Sequence, residues 1–511
     1  MKQQKEIKHA LLFFIIVLCI IIPVSLFAKD RSSTDLTILH VNDMHGHILP
    51  YIEKSVDKET PVGGAAYTAS MIEAERRKNP GGTLLLAAGD MFQGTPISNI
   101  FRGRPVLEIM NYLKFDAMAI GNHEFDWGLG TLENLGSSAA FPFLSANIID
   151  RRGKYLPGVK PFVFLSRKNL KIAVIGITTP ETVVTTKPEN VKGLVFLEPE
   201  RILPGLVKDV RSSGADIVIL LSHMGLDCDK IIARVPGIDI IVGGHSHTAV
   251  FRPVAEGGTT IVQAKCYGLY LGVLHVKVDL RTKKVISYSR KEELRVVYAG
   301  PGASFDSSVA RLVQKYHDRI KDEFAKTVGK TAVNLVRNSR GESNIGDLVC
   351  DAMRESSGAR IAFQNSGGMR VNIEKGRITM EQIFTLLPFD NLLVSMDLTG
   401  EQIRAILEQS AGMEHGILQV SGIRVILDPE KSRGSRIVEI NVGREKLQPD
   451  RIYRVVTNDF LAAGGDGYRI FKEGKNIVYG DDLREAMINY LKKHSPVYPQ
   501  AGGRIIWRLI R

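Results

Sequence analysis

Cysteine is scarce in this chain. There are four in 511 residues, and Cys19 falls in an apolar stretch near the start. The other three, Cys228, Cys266 and Cys350, can close at most one bridge, which excludes a disulfide-stapled scaffold. Internal repeats and low-complexity segments are missing too, so solenoids and disordered tracts are excluded. The formal charge is +12, yet no dense Lys/Arg block carries interleaved aromatics. That argues against a nucleic-acid partner and leaves an anionic small substrate as the natural match. The apolar run Leu11–Ile22 is short for a membrane span. It follows Lys2, Lys5 and Lys8 and precedes the small residue Ala28, as in a secretory signal peptide over residues 1–28. The expected location is therefore periplasmic or extracellular. Membrane attachment would follow only if the leader stayed uncleaved, which the poor small-residue match at Leu26 leaves open.

What is present is an ordinary globular composition, 44% hydrophobic and 24% charged, in a chain long enough for two or three domains. From Thr34 onward, short apolar runs alternate with helix-like segments. The runs are Leu36–Val41, Thr83–Ala88, Ala117–Ile120, Lys171–Ile177, Asp216–Leu221 and Ile238–Val242. Ala65–Lys78 and Pro199–Ser212 read as helices between them. This predicts a layered α/β region over residues 34–298. Tyr270–Leu280 and Val285–Ser289 read as antiparallel strands around a polar turn. After the breaker Gly300-Pro301-Gly302, the spacing of Val309, Leu312, Val313, Tyr316 and Ile320 predicts one amphipathic helix, Ser307–Lys326, within a connector over 299–330. A second α/β or α+β region fills 331–511.

Chemistry collects where the first region's strands end. LTILHVND delivers Asp43 and then His45; TLLLAAGD delivers Asp90; AIGNHEFDWG delivers Asn122 and His123; ADIVILLSH delivers His223; IDIIVGGHSH delivers His245 and His247. Ligand sites in open α/β sheets form beyond the carboxyl ends of the strands. A lone Asp or His there is usually a turn or cap residue, but five strand ends with the same chemistry point to one pocket. The strand KIAVIGITTP serves as an internal comparison, because it ends without His or carboxylate. Mixed imidazole and carboxylate donors suit Zn²⁺, Mn²⁺, Co²⁺ or Fe rather than Ca²⁺ or Mg²⁺. Seven candidates exceed one tetrahedral site and suit two cations, the arrangement that clamps attacking and leaving oxygens in phosphoryl transfer.

The ordered blocks D-x-H, G-D, G-N-H-E, S-H and G-H-x-H resemble those of calcineurin-type metallophosphoesterases. ESNIGDLVCDAM, NSGGMR, LLPFDN, LQVSGIR and NDFLAAGGDGY resemble the C-terminal domain of secreted 5′-nucleotidases. The resemblance covers nearly all of 34–511. It implies a layered metallophosphoesterase sandwich followed by a smaller C-terminal substrate-binding domain, with rotation between the two. It implies that Asp43, His45 and His247 hold one divalent metal, that Asn122, His223 and His245 hold the other, and that Asp90 bridges them, with a metal-bridging hydroxide attacking phosphorus in line. His123 would face the phosphate and Asp126 would keep its imidazole protonated and oriented. Glu124, Trp127, His40 and His47 read as structural. In the second region the resemblance assigns Arg370 and Asn365 of NSGGMR to substrate and favours Arg340 over Arg337 as a further phosphate contact, although an ungapped match puts Ser339 there. It assigns Phe389 and Phe460 to a base sandwich, Asp466 to ribose hydroxyls and Asn391 to the base.

The reading that follows is a secreted 5′-nucleotidase that releases phosphate from nucleoside 5′-monophosphates, with nucleoside di- and triphosphates or UDP-sugars expected as further substrates. Alternatives of the same architecture are a 2′,3′-cyclic-nucleotide 2′-phosphodiesterase/3′-nucleotidase and a sulfur-oxidising thiosulfohydrolase. A non-catalytic nucleotide-binding or adhesion protein would lack ligands or the His–Asp pair, and none is missing here.

Overall fold

The computed structural model describes residues 32–289, 294–412 and 415–508. The expected leader over 1–28 lies outside them. Among the described residues no helix is long and apolar enough to cross a membrane, and Cys228, Cys266 and Cys350 are free thiols.

Strand Ser33–Val41 shows how alternation builds the first region. Leu36 and Ile38 point to one face, while Leu39 and Val41 point to the other, and all four are buried. The strand pairs antiparallel with Tyr270–Asp279 and parallel with Thr83–Ala87. The sheet continues through Ala117–Ala119 to Phe143–Leu144. A second sheet runs Val254–Glu256, Thr259–Val262, Ile240–Gly243, Ile217–His223, Leu170–Thr178, Phe162–Arg167. Leu36, Ile38, Leu84 and Leu86 of the first sheet meet Ile172, Val174, Ile217 and Ile219 of the second in one apolar layer. The outer face of the first sheet carries helices Ala65–Lys78, Arg104–Tyr112 and Ser307–His317. The outer face of the second carries Pro199–Ser212 and Leu226–Ile232. Helix, sheet, sheet and helix thus form four layers, with the central strands of each sheet buried on both faces, as their nearly continuous apolar runs require.

The helix expected over Ser307–Lys326 is two helices, Ser307–His317 and Lys321–Phe324. Ile320 leaves helical geometry at φ −124°. The break lets Ile320 pack on the first region's core while Phe324 sets its ring edge-on to Phe384 of the second. Periodicity alone sees one amphipathic stripe, but the two halves serve different cores.

The second region is built on a five-stranded sheet ordered Gln419–Ser421, Ile361–Gln364, Ile452–Asn458, Leu392–Thr399, Lys475–Asp482. Helices Asn344–Ser357 and Leu483–His494 cover one face, and Gly400–Ser410 with a four-stranded sheet covers the other. Side-chain caps fix these helix starts: Ser343 accepts from the Gly346 amide, and Thr399 with Gln402 forms a capping box. The architecture is mixed α/β throughout.

Candidate active site

The polar strand ends do converge. The Asp43 amide donates to the Gly89 carbonyl at 2.9 Å and the His45 amide to the Asp90 carbonyl at 3.0 Å, which stitches two strand-end loops together. The approach is too close for a side chain: a Cβ on Gly121 would stand 2.2 Å from Oδ1 of Asp90, and one on Gly244 2.6 Å from the Ala88 carbonyl. Asp43, His45, Asp90, His245 and His247 all take positive φ, between 46° and 72°. Non-glycine residues rarely adopt this backbone, and at functional sites it costs of order 1–3 kcal/mol each. Here the strained backbone aims the five side chains inward.

Two donor groups result. In the first, Nε2 of His247 lies 3.3 Å from Oδ1 of Asp43 and 3.2 Å from Nε2 of His45. In the second, Nε2 of His223 lies 3.1 Å from Oδ2 of Asp90, and Oδ1 of Asn122 stands 3.2 Å from that nitrogen and 3.0 Å from Nδ1 of His245. Asp90 faces both groups, its Oδ2 being 3.8 Å from Nε2 of His45. Asp43, His45 and His247 could hold one metal ion, and Asp90, His223 and His245 another. The outward nitrogens of two rings are already committed. Nδ1 of His45 is 2.9 Å from the Gln93 carbonyl and Nδ1 of His223 is 2.7 Å from the Ala88 carbonyl. A carbonyl only accepts, so each Nδ1 carries hydrogen and each Nε2 offers its lone pair inward. Buried lone pairs pointed at one another, among carboxylates, fit divalent cations.

Electrostatics agree. Burial opposes charge on His223, but Asp90 outweighs it and lifts the imidazole to about 10. Burial likewise opposes charge on His247, and Asp43 overcomes it, to about 9. Such basic imidazoles facing carboxylates attract positive charge, which a cation satisfies in place of protons.

His123 stands at the edge of this cluster on the short helix His123–Phe125. Its Nδ1 is 2.7 Å from Oδ2 of Asp126, and the other oxygen of Asp126 accepts from the Thr186 hydroxyl at 2.8 Å. Burial disfavours the imidazolium, but Asp126 and Asp90 more than compensate and hold His123 above the ordinary histidine range. Glu124 is structural, as its sequence position suggests. Its buried carboxylate accepts the amides of Gly121 (2.7 Å), Asp90 (2.8 Å) and Met91 (2.9 Å). His47 stacks on Tyr267 with centroids 4.2 Å apart, and His40 is fully buried in the sandwich.

The second region closes over this centre. Phe389 stacks on His123 with ring centroids 5.6 Å apart, and the Arg370 guanidinium lies 6.0 Å from the Phe389 centroid. Burial opposes the charge of Arg370, but Tyr267, across the boundary, helps to raise its pKa against that cost. A cavity of about 260 Å³ lies between the regions. Asp90, Asn122, His123, His245 and His247 border it from the first region; Asn365, Arg370, Phe389, Asn391, Phe460 and Asp466 border it from the second. Asn365 donates to Asp466 at 2.9 Å, and Asp466 takes φ 50°. Burial raises Asp466 to about 6 against the opposing pull of His415 and Asn365.

Arg340 is placed apart. It is exposed and borders a side pocket with Arg337, Ser339, Ser366 and Gly416, which shares Gly367 and His415 with the main cavity. Arg337 instead donates to the Arg370 carbonyl at 2.9 Å. Sequence reading passed over Thr185, Thr186, Lys187 and His415, all on the cavity wall. The first three follow the strand that served as the featureless comparison. That strand does reach the site: the segment after it brings two hydroxyls and an ammonium to the cavity wall, and the Glu181 carboxylate to 3.9 Å from Nε2 of His245.

Comparison with known proteins follows the same two-part division. Residues 36–249 match the family model for calcineurin-like phosphoesterase, and residues 327–473 match that for the 5′-nucleotidase C-terminal domain. The chain is 32% identical to the snake venom 5′-nucleotidase of Crotalus adamanteus, over 93% of this chain and 89% of that protein. It is 31% identical to the Homo sapiens 5′-nucleotidase, over 92% and 90%. The crystal structure of a 5′-nucleotidase precursor from Thermus thermophilus superposes with a TM-score of 0.85 at 33% identity, covering 93% of this chain and 99% of that one.

Proposed function

The chain belongs to the 5′-nucleotidase family of metal-dependent phosphoric ester hydrolases, and from that premise we propose that it releases orthophosphate from nucleoside 5′-monophosphates at the cavity between its two regions. One observation carries this reading. A single cavity is lined by metal-binding donors and His123 from the first region and by two phenylalanines with a carboxylate from the second. A nucleotide presents both chemistries, a phosphate for the first wall and a base and ribose for the second.

Asp43, His45 and His247, with Asp90, Asn122, His223 and His245, would hold two divalent cations of the zinc, manganese or cobalt type. When bound, these supply Lewis acidity and an activated water for attack on phosphorus. The protein's own groups do the rest. Arg370 offers a forked donor to the phosphate oxygens. His123, kept protonated by Asp126, stabilises charge that develops as the ester bond breaks. Phe389 and Phe460 stack the base, which is tolerant of base identity because every base has a π-face. Asp466 accepts ribose hydroxyls, and Asn391 reaches the base. The basic and then apolar start of the sequence supports export, so that the substrate would be external nucleotide.

Hydrolysis of 5′-AMP, 3′-AMP and 2′,3′-cyclic AMP by the purified, metal-supplied protein tests the reading. Orthophosphate should come chiefly from 5′-AMP. Preference for 3′-AMP or the cyclic ester would replace the assignment with the phosphodiesterase alternative, and no release from any nucleotide would end it.

A further inference from the structure

Lys187 touches neither the metal donors nor His123, yet its position is unusual. Its Nζ donates to the Asp390 carbonyl at 2.8 Å and to Oδ2 of Asp459 at 2.8 Å. Asp390 is the residue after Phe389, and Asp459 is the residue before Phe460. One ammonium group from the first region therefore bridges the two loops of the second that carry the aromatic pair. The bridge is sheltered: the Lys187 side chain is 22% exposed and that of Asp459 14%. Lys187 also borders the cavity itself.

The two loops are not equally tied to the first region without it. The Phe389 loop is held several times over. Pro388 accepts from Asn99 at 2.8 Å and from Gln93 at 3.3 Å, and the Asp390 carboxylate is paired with Arg102 and Arg484. Phe460 sits on the one-turn helix Asp459–Ala462, and the hydrogen bond that helix receives from the first region, among the described residues, is the one from Lys187. The preceding residue, Thr186, holds Asp126 of the His123 pair. Two adjacent residues thus contact both the His123–Asp126 pair and the loops of the aromatic pair.

We propose that Lys187 is a positioning residue that sets the gap between Phe389 and Phe460 and so determines how well a base is gripped. This deepens the nucleotide reading and rests on it. Stacking needs two ring faces at a fixed separation. A charged hydrogen bond between their loops supplies that restraint, and it forms only when the first region is docked against both. Base recognition is thereby made conditional on the closed arrangement in which the phosphate meets the metal donors.

The test compares the full-length metal-supplied enzyme with Lys187→Met and Lys187→Arg, using 5′-AMP as substrate and adenosine and orthophosphate as inhibitors. Adenosine reports the base end and orthophosphate the metal end. Lys187→Met should weaken adenosine inhibition and raise KM for 5′-AMP by about fivefold or more, a fraction of a stacking interaction. Its effect on kcat should be smaller, and inhibition by orthophosphate should not move. Lys187→Arg should restore most of the adenosine affinity. The proposal is overturned if Lys187→Met shifts adenosine and orthophosphate inhibition together, which would mean general loosening of the site, or if it shifts neither. Should the wild-type enzyme hydrolyse no nucleotide, the nucleotidase reading fails first and independently of these variants.

Discussion

Nδ1 of His123 and Oδ2 of Asp126 stand 2.7 Å apart, three residues from each other on a short turn of helix. Asp126 therefore acts twice, orienting the ring and favouring its charged form. A histidine whose pKa is raised by a partner is protonated below that pKa and loses its charge as pH climbs through it. Removing the partner lowers the pKa, so the charged form disappears at lower pH. Asp126→Asn should move the alkaline limb of the kcat/KM profile toward neutrality. It should also reduce kcat/KM at pH 8 by about 10²-fold, the usual scale of a positioned acid–base group. Parallel pH–rate profiles of wild type and variant measure both effects. An unmoved limb would reduce Asp126 to an orienting role.

Glu124 holds the site's backbone rather than its ligand. Its carboxylate gathers three amides from the loops of Asp90 and Asn122. Glu124→Gln replaces one acceptor oxygen with an NH₂ that faces N–H groups, leaving buried donors unpaired at about 1–3 kcal/mol each. The expected result is a lower thermal transition for the metal-stripped protein and weaker metal retention, visible by calorimetry and by metal analysis after dialysis. Full retention of both would mean that the loop backbone is fixed by other contacts.

Much of this was legible in the residues, for a definite reason. Strands buried on both faces must be apolar, so a sudden Asp, Asn or His marks where the strand leaves the core, and the topology gathers those ends. Asp43, His45, Asp90, Asn122, His223, His245 and His247 could be found that way. Lys187 could not. Its partners Asp390 and Asp459 lie more than 200 residues away, and a lysine in a TTKPEN loop has no local signature. The positive φ values of Asp43 and His45 are equally silent, because nothing marks a non-glycine residue for that conformation until the Gly89 and Asp90 carbonyls are in place. The break at Ile320 was hidden because a periodic stripe does not say which core each turn faces.

Asp90 faces both donor groups, so its loss should be felt at both. Native protein should carry two divalent ions per chain by elemental analysis, and Asp90→Asn fewer. Chelation should abolish phosphate release, and Zn²⁺, Mn²⁺ or Co²⁺ should restore it. Metal binding should also stabilise the fold, by about 2.7 kcal/mol when free metal stands at a hundred times its dissociation constant. The thermal transition of the stripped protein should then rise with added metal in the wild type and rise less in Asp90→Asn. A single ion per chain in fully active enzyme would contradict the two-site assignment.

Asp466 supplies a pH dependence that can be told apart from that of His123 because it acts on binding. Burial raises its pKa to about 6, while His415 and Asn365 pull the other way. An acid raised in the folded protein keeps its proton to higher pH, so the carboxylate is complete only above about 6 and is lost as pH falls through that value. A protonated Asp466 has less capacity to accept ribose hydroxyls. KM for 5′-AMP should therefore rise below pH 6, while inhibition by orthophosphate, which makes no ribose contact, keeps whatever pH dependence the metal end imposes. Asp466→Asn should have the higher KM above pH 6, by about tenfold for a hydrogen bond to a charged group lost in a buried site, and should lack the acid-side rise, so that the two enzymes converge at low pH. If the rise persists in Asp466→Asn, the titrating group lies elsewhere on the cavity wall, and the ribose assignment of Asp466 loses its support.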